Sequence, residues 1–137
     1  MDVDRDGATL LNLLVDKERI AAIEPVGGER SSDLPAIDLE GRHLWPTLID
    51  MHAHLDKGHI VTRAENPDGS FAGALQSVAK DRTHRWTAED IKLRMEFGLR
   101  CAYAHGVAAI RTHLDSPEPD QARRSWAAFR EVRAEWA

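Results

Sequence analysis

Two short segments, 47–55 and 107–115, alternate in period two, and each turns polar on one face only towards its C-terminal end. Successive side chains of a strand point to opposite faces, so Ile49, Met51, Ala53 and Leu55 share one face of the first segment. Leu48, Asp50, His52 and His54 share the other. In the second segment, Ala108, Ile110, Thr112 and Leu114 oppose Val107, Ala109, Arg111, His113 and Asp115. One apolar face on each strand predicts cover by helices, and the intervening sequence supplies them. Phe71, Leu75, Val78 and Arg82 fall at helical spacing. Thr87-Ala-Glu-Asp90 is a loose capping box with Asp in place of Glu or Gln, and it opens a stripe of Ile91, Met95, Leu99 and Ala102 that ends at Gly106. After Ser116-Pro-Glu-Pro119 stops the second strand, Ala122, Trp126, Phe129, Val132 and Trp136 form a third amphipathic stripe, read as a face packed on a sheet or a neighbouring helix. Strand, helices, strand, helix is an α/β order that favours parallel pairing through a right-handed crossover. In such folds functional groups gather where the strands end, which is where His52, His54, Arg111, His113 and Asp115 lie.

The first 45 residues read differently. Apolar runs at 9–15 and 19–26 flank the charged turn Asp16-Lys17-Glu18 and predict a hairpin, with a helix over 9–24 as the alternative. A polar loop from Gly27 to Pro35 follows, then a short strand around Ala36–Leu39 and a turn at Glu40-Gly41-Arg42. The expected organisation is a small β unit over 1–45 and an α/β unit over 46–137.

Composition narrows the function classes. The chain has 137 residues, 42% hydrophobic and 30% charged, which suits a folded globular domain. A single cysteine, Cys101, allows neither an internal disulfide nor a Cys-pair zinc or redox motif. The net charge of −5 is concentrated early, since residues 1–50 carry 11 acidic and 5 basic side chains. No basic stripe interleaved with aromatics exists, which argues against a nucleic-acid partner. The acidic start Met1-Asp-Val-Asp-Arg-Asp6 and the lack of a long apolar window argue against a secretory signal and a membrane span, so the expected location is cytoplasmic.

His52-Ala53-His54 is the sharpest chemical feature. Two imidazoles two positions apart on a strand point the same way, with Cβ atoms about 7 Å apart, and can converge on one ion about 2 Å from each nitrogen. The structural alternative is an incidental polar pair at a strand end. Asp56 and Lys57 follow at the strand exit, where a carboxylate could orient a ligand histidine or touch substrate, or form a plain loop ion pair. His113 is the other inward histidine, a second-shell or substrate group in one reading and a satisfied core histidine bonded to Asp115 or a carbonyl in the other. His43, His59, His84 and His105 receive no role.

These residues resemble a known family. Pro46-Thr-Leu-Ile-Asp-Met-His52-Ala-His54-Leu-Asp56, preceded by Ile37-Asp-Leu-Glu-Gly41-Arg-His-Leu-Trp45, looks like the lead-in to the first barrel strand of the amidohydrolase superfamily. Within it, His-Ala-His-Leu-Asp56-Lys57 and Gly106-Val-Ala-Ala-Ile-Arg111-Thr-His113-Leu-Asp115 most resemble the cytosine deaminase branch, although Pro46-Thr47-Leu48 replaces the Pro-Gly-Phe of many relatives. The resemblance implies a small β-sandwich flanking a metal-dependent (β/α)8 TIM barrel, of which this chain holds only the first strands and helices, because a full barrel takes roughly 250 residues. It implies that His52 and His54 bind a divalent ion, zinc or iron, that activates water for attack on an amino-bearing carbon of a nucleobase-like ring. Asp56, Lys57, His113 and Asp115 would be substrate-contacting or supporting groups. The remaining ligands and the proton-shuttling carboxylate would lie downstream, so no catalytic residue is expected in this chain and it should be inactive alone. Self-association of a full-length enzyme stays open. A different class stays open as well, a small non-catalytic α/β binding or assembly module in which the His-x-His is structural.

Overall fold

A computed structural model describes residues 9–27 and 34–137 of the chain. The chain divides into two compact units, Met1–Trp45 and Pro46–Ala137. In the first, β1 (Leu11–Asp16) pairs antiparallel with β2 (Arg19–Pro25) around a turn in which Lys17 takes φ 56°, so the hairpin forms and the helical alternative does not. The turn at 40–42 also forms, with Glu40 and Gly41 at φ 54° and 73° and the Arg42 amide donating to the Leu39 carbonyl. The strand expected around Ala36–Leu39 does not form: no described strand lies beside it to pair with its backbone. Most of the loop expected from Gly27 to Pro35 lies outside the described residues.

The second unit runs β3 (Leu48–Ala53), α1 (Phe71–Arg85), α2 (Ala88–Ala104), β4 (Val107–Thr112) and α3 (Pro119–Glu135). β3 and β4 pair in parallel, as the alternation of strand and helix predicts. Both strands are shorter than the alternating segments, ending at Ala53 and Thr112, so the polar residues beyond them sit on the exits. Helix starts follow the sequence signals. Ser70 caps α1 by accepting from the Gly73 amide at 2.9 Å, and Thr87 caps α2 by accepting from the Asp90 amide at 3.1 Å. The return half of a capping box is missing at α2, because the Asp90 carboxylate is drawn instead to Arg63 and Arg94. Gly106, at φ 82°, closes α2 in the left-handed conformation that glycine tolerates.

The core lies between α2 and α3 and consists of Trp86, Ile91, Met95, Ala128 and Val132, with Leu55, Val78, Leu99, Leu114 and Phe129 packed against it. The buried stripe of α3 is Gln121, Ser125, Ala128 and Val132: Val132 is buried as expected and Phe129 packs against the core, while over the first turns the stripe lies one position before the expected Ala122 and Trp126. Small residues let α3 approach closely, whereas Trp126 and Trp136 stay largely exposed at its edges. On α1 the buried residue is Asp81, and Phe71 and Leu75 face outward. The apolar face of β3 is not covered either: Ile49 and Met51 are 68% and 69% exposed, because the helices of this unit pack around the strand exits instead. Gly98 in the middle of α2 leaves room for the Leu55 side chain on the segment leaving β3, since a Cβ there would stand 3.0 Å from Leu55 Cδ2.

Candidate metal centre at the strand exits

Parallel pairing puts the C-terminal ends of β3 and β4 side by side, and three contacts tie the strands together, one at their starts and two at their exits. The Leu48 amide donates to the Gly106 carbonyl at 2.8 Å, the His113 amide to the Ala53 carbonyl at 2.8 Å, and the Leu55 amide to Thr112 Oγ1 at 3.1 Å. His52 and His54 therefore emerge on the same side. Their Nε2 atoms are 3.4 Å apart and their ring centroids 5.4 Å apart. Two nitrogens each 2.0–2.1 Å from one tetrahedral ion are separated by about 3.3 Å, so this pair has the spacing of two ligands to a common metal. His113 joins them, with its ring 4.4 Å from that of His52 and 5.5 Å from that of His54. Its ring is exposed, which is not the buried core histidine of the structural alternative. Among the described residues no group of three or more His, Cys, Asp or Glu side chains is set to hold an ion. Burial first, and then the Lys57 ammonium, push the His54 imidazole below its ordinary pKa of 6.5 against the pull of Asp115, which favours the neutral ring.

Asp56 and Lys57 take different roles. Asp56 is fully buried, and its Oδ2 accepts the Asp115 amide at 2.6 Å, which ties the exit of β3 to the exit of β4. Burial pushes the Asp56 carboxyl up to about 6, with the Asp115 charge adding to it and the Asp115 amide and Lys57 opposing it. Lys57 forms the loop ion pair, its Nζ 3.0 and 3.3 Å from the two carboxylate oxygens of Asp115. Asp115 also stands 3.5 Å from His54 Nδ1 and 3.9 Å from an Arg82 guanidinium nitrogen.

A supporting layer beneath the exits gave no signal in the periodicity. Arg94, buried on α2, donates to the Asp56 carbonyl and, through Nε, to Asp90 at 2.9 Å, while its guanidinium stacks 4.9 Å from the Trp86 ring. Trp86 donates its indole N–H to Asp81 at 2.9 Å, and Arg63 bridges Asp81 and Asp90 at 2.8 and 2.5 Å. The sole hint in the sequence is the i, i+4 spacing of Asp90 and Arg94.

Comparison with known proteins bears on this geometry. A sequence model described as the Amidohydrolase family matches residues 36–133, which take in β3, β4 and the residues His52, His54, Asp56, Lys57, His113 and Asp115 at their exits. A pterin deaminase of Rhizobium rhizogenes strain K84 is 49% identical over 131 residues, covering 96% of this chain and 30% of the relative. A dihydroorotase of Syntrophus aciditrophicus strain SB is 35% identical over 65 residues, 47% of this chain and 15% of the relative. The chain thus spans less than a third of the length of the curated relatives it matches. No described helix is long and apolar enough to cross a membrane.

Proposed function

The chain belongs to the amidohydrolase family, and from that premise we propose that it forms the leading part of a metal-dependent deaminase acting on an aminated heterocycle. In this reading residues 1–45 contribute to a flanking β-sandwich and residues 46–137 supply the first βα units of a (β/α)8 barrel. The observation that carries the proposal is the 3.4 Å separation of the His52 and His54 Nε2 atoms at the strand exits. These two residues would hold the divalent ion, zinc or iron. When bound, such an ion supplies the Lewis acidity that makes water nucleophilic near neutral pH.

The chain's own residues prepare that site. His54 is kept neutral, Asp56 locks the two strand exits together, and Lys57 neutralises Asp115 beside the histidines. His113, whose ring leans on that of His52 and is exposed, is the group we assign to contact substrate. For the substrate we favour a pteridine or a related aminopyrimidine. The pterin deaminase relative supports a fused ring, and cytosine shares with pterin an amino-bearing carbon flanked by ring nitrogen, the electrophile such chemistry needs. The 137 residues alone are proposed to lack turnover, since two imidazoles make only part of a ligand shell. Ammonia release from pterin and from cytosine, measured for this chain and for a longer chain with the remaining barrel strands, tests the reading: turnover of an aminated ring in the longer chain supports it, and inertness towards both with metal bound would overturn it.

A further inference from the structure

His54 is held on two sides by different chemistry. Its Nε2 faces His52 Nε2, and its Nδ1 faces a carboxylate oxygen of Asp115 at 3.5 Å. Nδ1 is buried and makes no hydrogen bond at this separation, and the Asp115 carboxylate is the acceptor that stands beside it. Asp115 is itself placed from behind, its amide fixed by the buried Asp56 carboxylate at 2.6 Å and its charge shared with Lys57 at 3.0 Å. We propose that Asp115 is a positioning residue for His54, taking the proton of Nδ1 in a hydrogen bond and so directing the Nε2 lone pair to the side shared with His52. The inference rests on the metal reading above for its purpose, and on the contact geometry alone for its existence.

The physical reasoning is general. A neutral imidazole carries one proton, and in solution it prefers Nε2–H, the tautomer that cannot ligate through Nε2. A carboxylate at Nδ1 reverses that preference and fixes the ring's rotation, and removing such a partner typically weakens metal binding about 10- to 100-fold. Lys57 competes for the same carboxylate, so its ion pair is not what sets the tautomer.

The test is long-range proton–nitrogen NMR on the metal-free full chain with labelled histidine, at a pH where the rings are neutral, followed by titration with zinc. The wild type should show His54 as Nδ1–H. Asp115→Ala should convert it largely to Nε2–H and lower zinc affinity about 10- to 100-fold, and Lys57→Met should keep Nδ1–H. An Nε2–H His54 in the wild type overturns the inference without any variant, as does an Asp115→Ala chain that keeps both tautomer and affinity. A wild type with Nδ1–H at His54 and no zinc uptake would support the hydrogen bond while overturning the metal reading, which keeps the two failures distinct.

Discussion

The buried carboxylate of Asp56 accepts the backbone amide of Asp115 at 2.6 Å, a single hydrogen bond that joins the ends of two strands 59 residues apart in sequence. An amide left without its acceptor in this position loses a charge-assisted bond. Asp56→Ala should therefore destabilise the chain by about 1–3 kcal/mol, read as a lower midpoint in urea at unchanged slope. Asp56→Asn keeps an acceptor oxygen and should lose less. Equal losses in the two variants would show that the bond does not matter.

Trp86 fills core volume and anchors a carboxylate at once. Trp86→Phe keeps most of the ring but removes the indole N–H from buried Asp81, for an expected loss of about 1–2 kcal/mol. Trp86→Ala also opens a cavity under the Arg94 guanidinium and should lose about 3–5 kcal/mol. Thermal unfolding of both variants checks the order.

Neighbouring positions on α2 should respond very differently. Met95 is wholly buried between the helices, so Met95→Ala should lose about 2–5 kcal/mol. Leu93 is exposed two positions earlier, and Leu93→Ala should stay within about 0.5 kcal/mol. Similar losses at both positions would contradict the placement of the α2–α3 core.

Much of this was legible before the structure. Period two marked β3 and β4, the hydroxyl at Thr87 marked the start of α2, and the His-x-His spacing put two rings on one side. The errors have a common physical origin. On α1 and α3 hydrophobicity pointed to Phe71, Leu75 and Trp126, but close helix approach selects by volume and takes Ser125 and Ala128. Asp81, Arg94 and Trp86 were invisible for a different reason. Buried ion pairs and stacked guanidinium groups depend on partners far apart in the chain, such as Arg63 with Asp81 and Asp90, and no local period encodes them. The burial of Asp56 is hidden for the same reason: its partner, the Asp115 amide, lies at the exit of another strand.

Acid sensitivity should trace to Asp90. Burial would raise its pKa, but hydrogen bonds from Arg63 and Arg94 outweigh it and hold the carboxyl below its ordinary 3.8. A folded-state pKa below the unfolded one means that the unfolded chain binds protons first, so Asp90 stabilises the fold fully above pH 3.8 and loses that contribution as the pH falls further. Stability measured from pH 4 down to 2 should fall along this limb, and Asp90→Asn should be less stable than the wild type at pH 6 with a shallower acid limb. A variant with an unchanged acid profile would remove Asp90 from the account.

The most direct measurement is a zinc titration of the wild-type chain beside the double variant His52→Ala, His54→Ala, with binding followed by calorimetry and the fold by circular dichroism. The account predicts one zinc per chain in the wild type, bound weakly because the shell is incomplete, and none at that site in a double variant that keeps its helices. Equal uptake by the two proteins, or none by either, would contradict it.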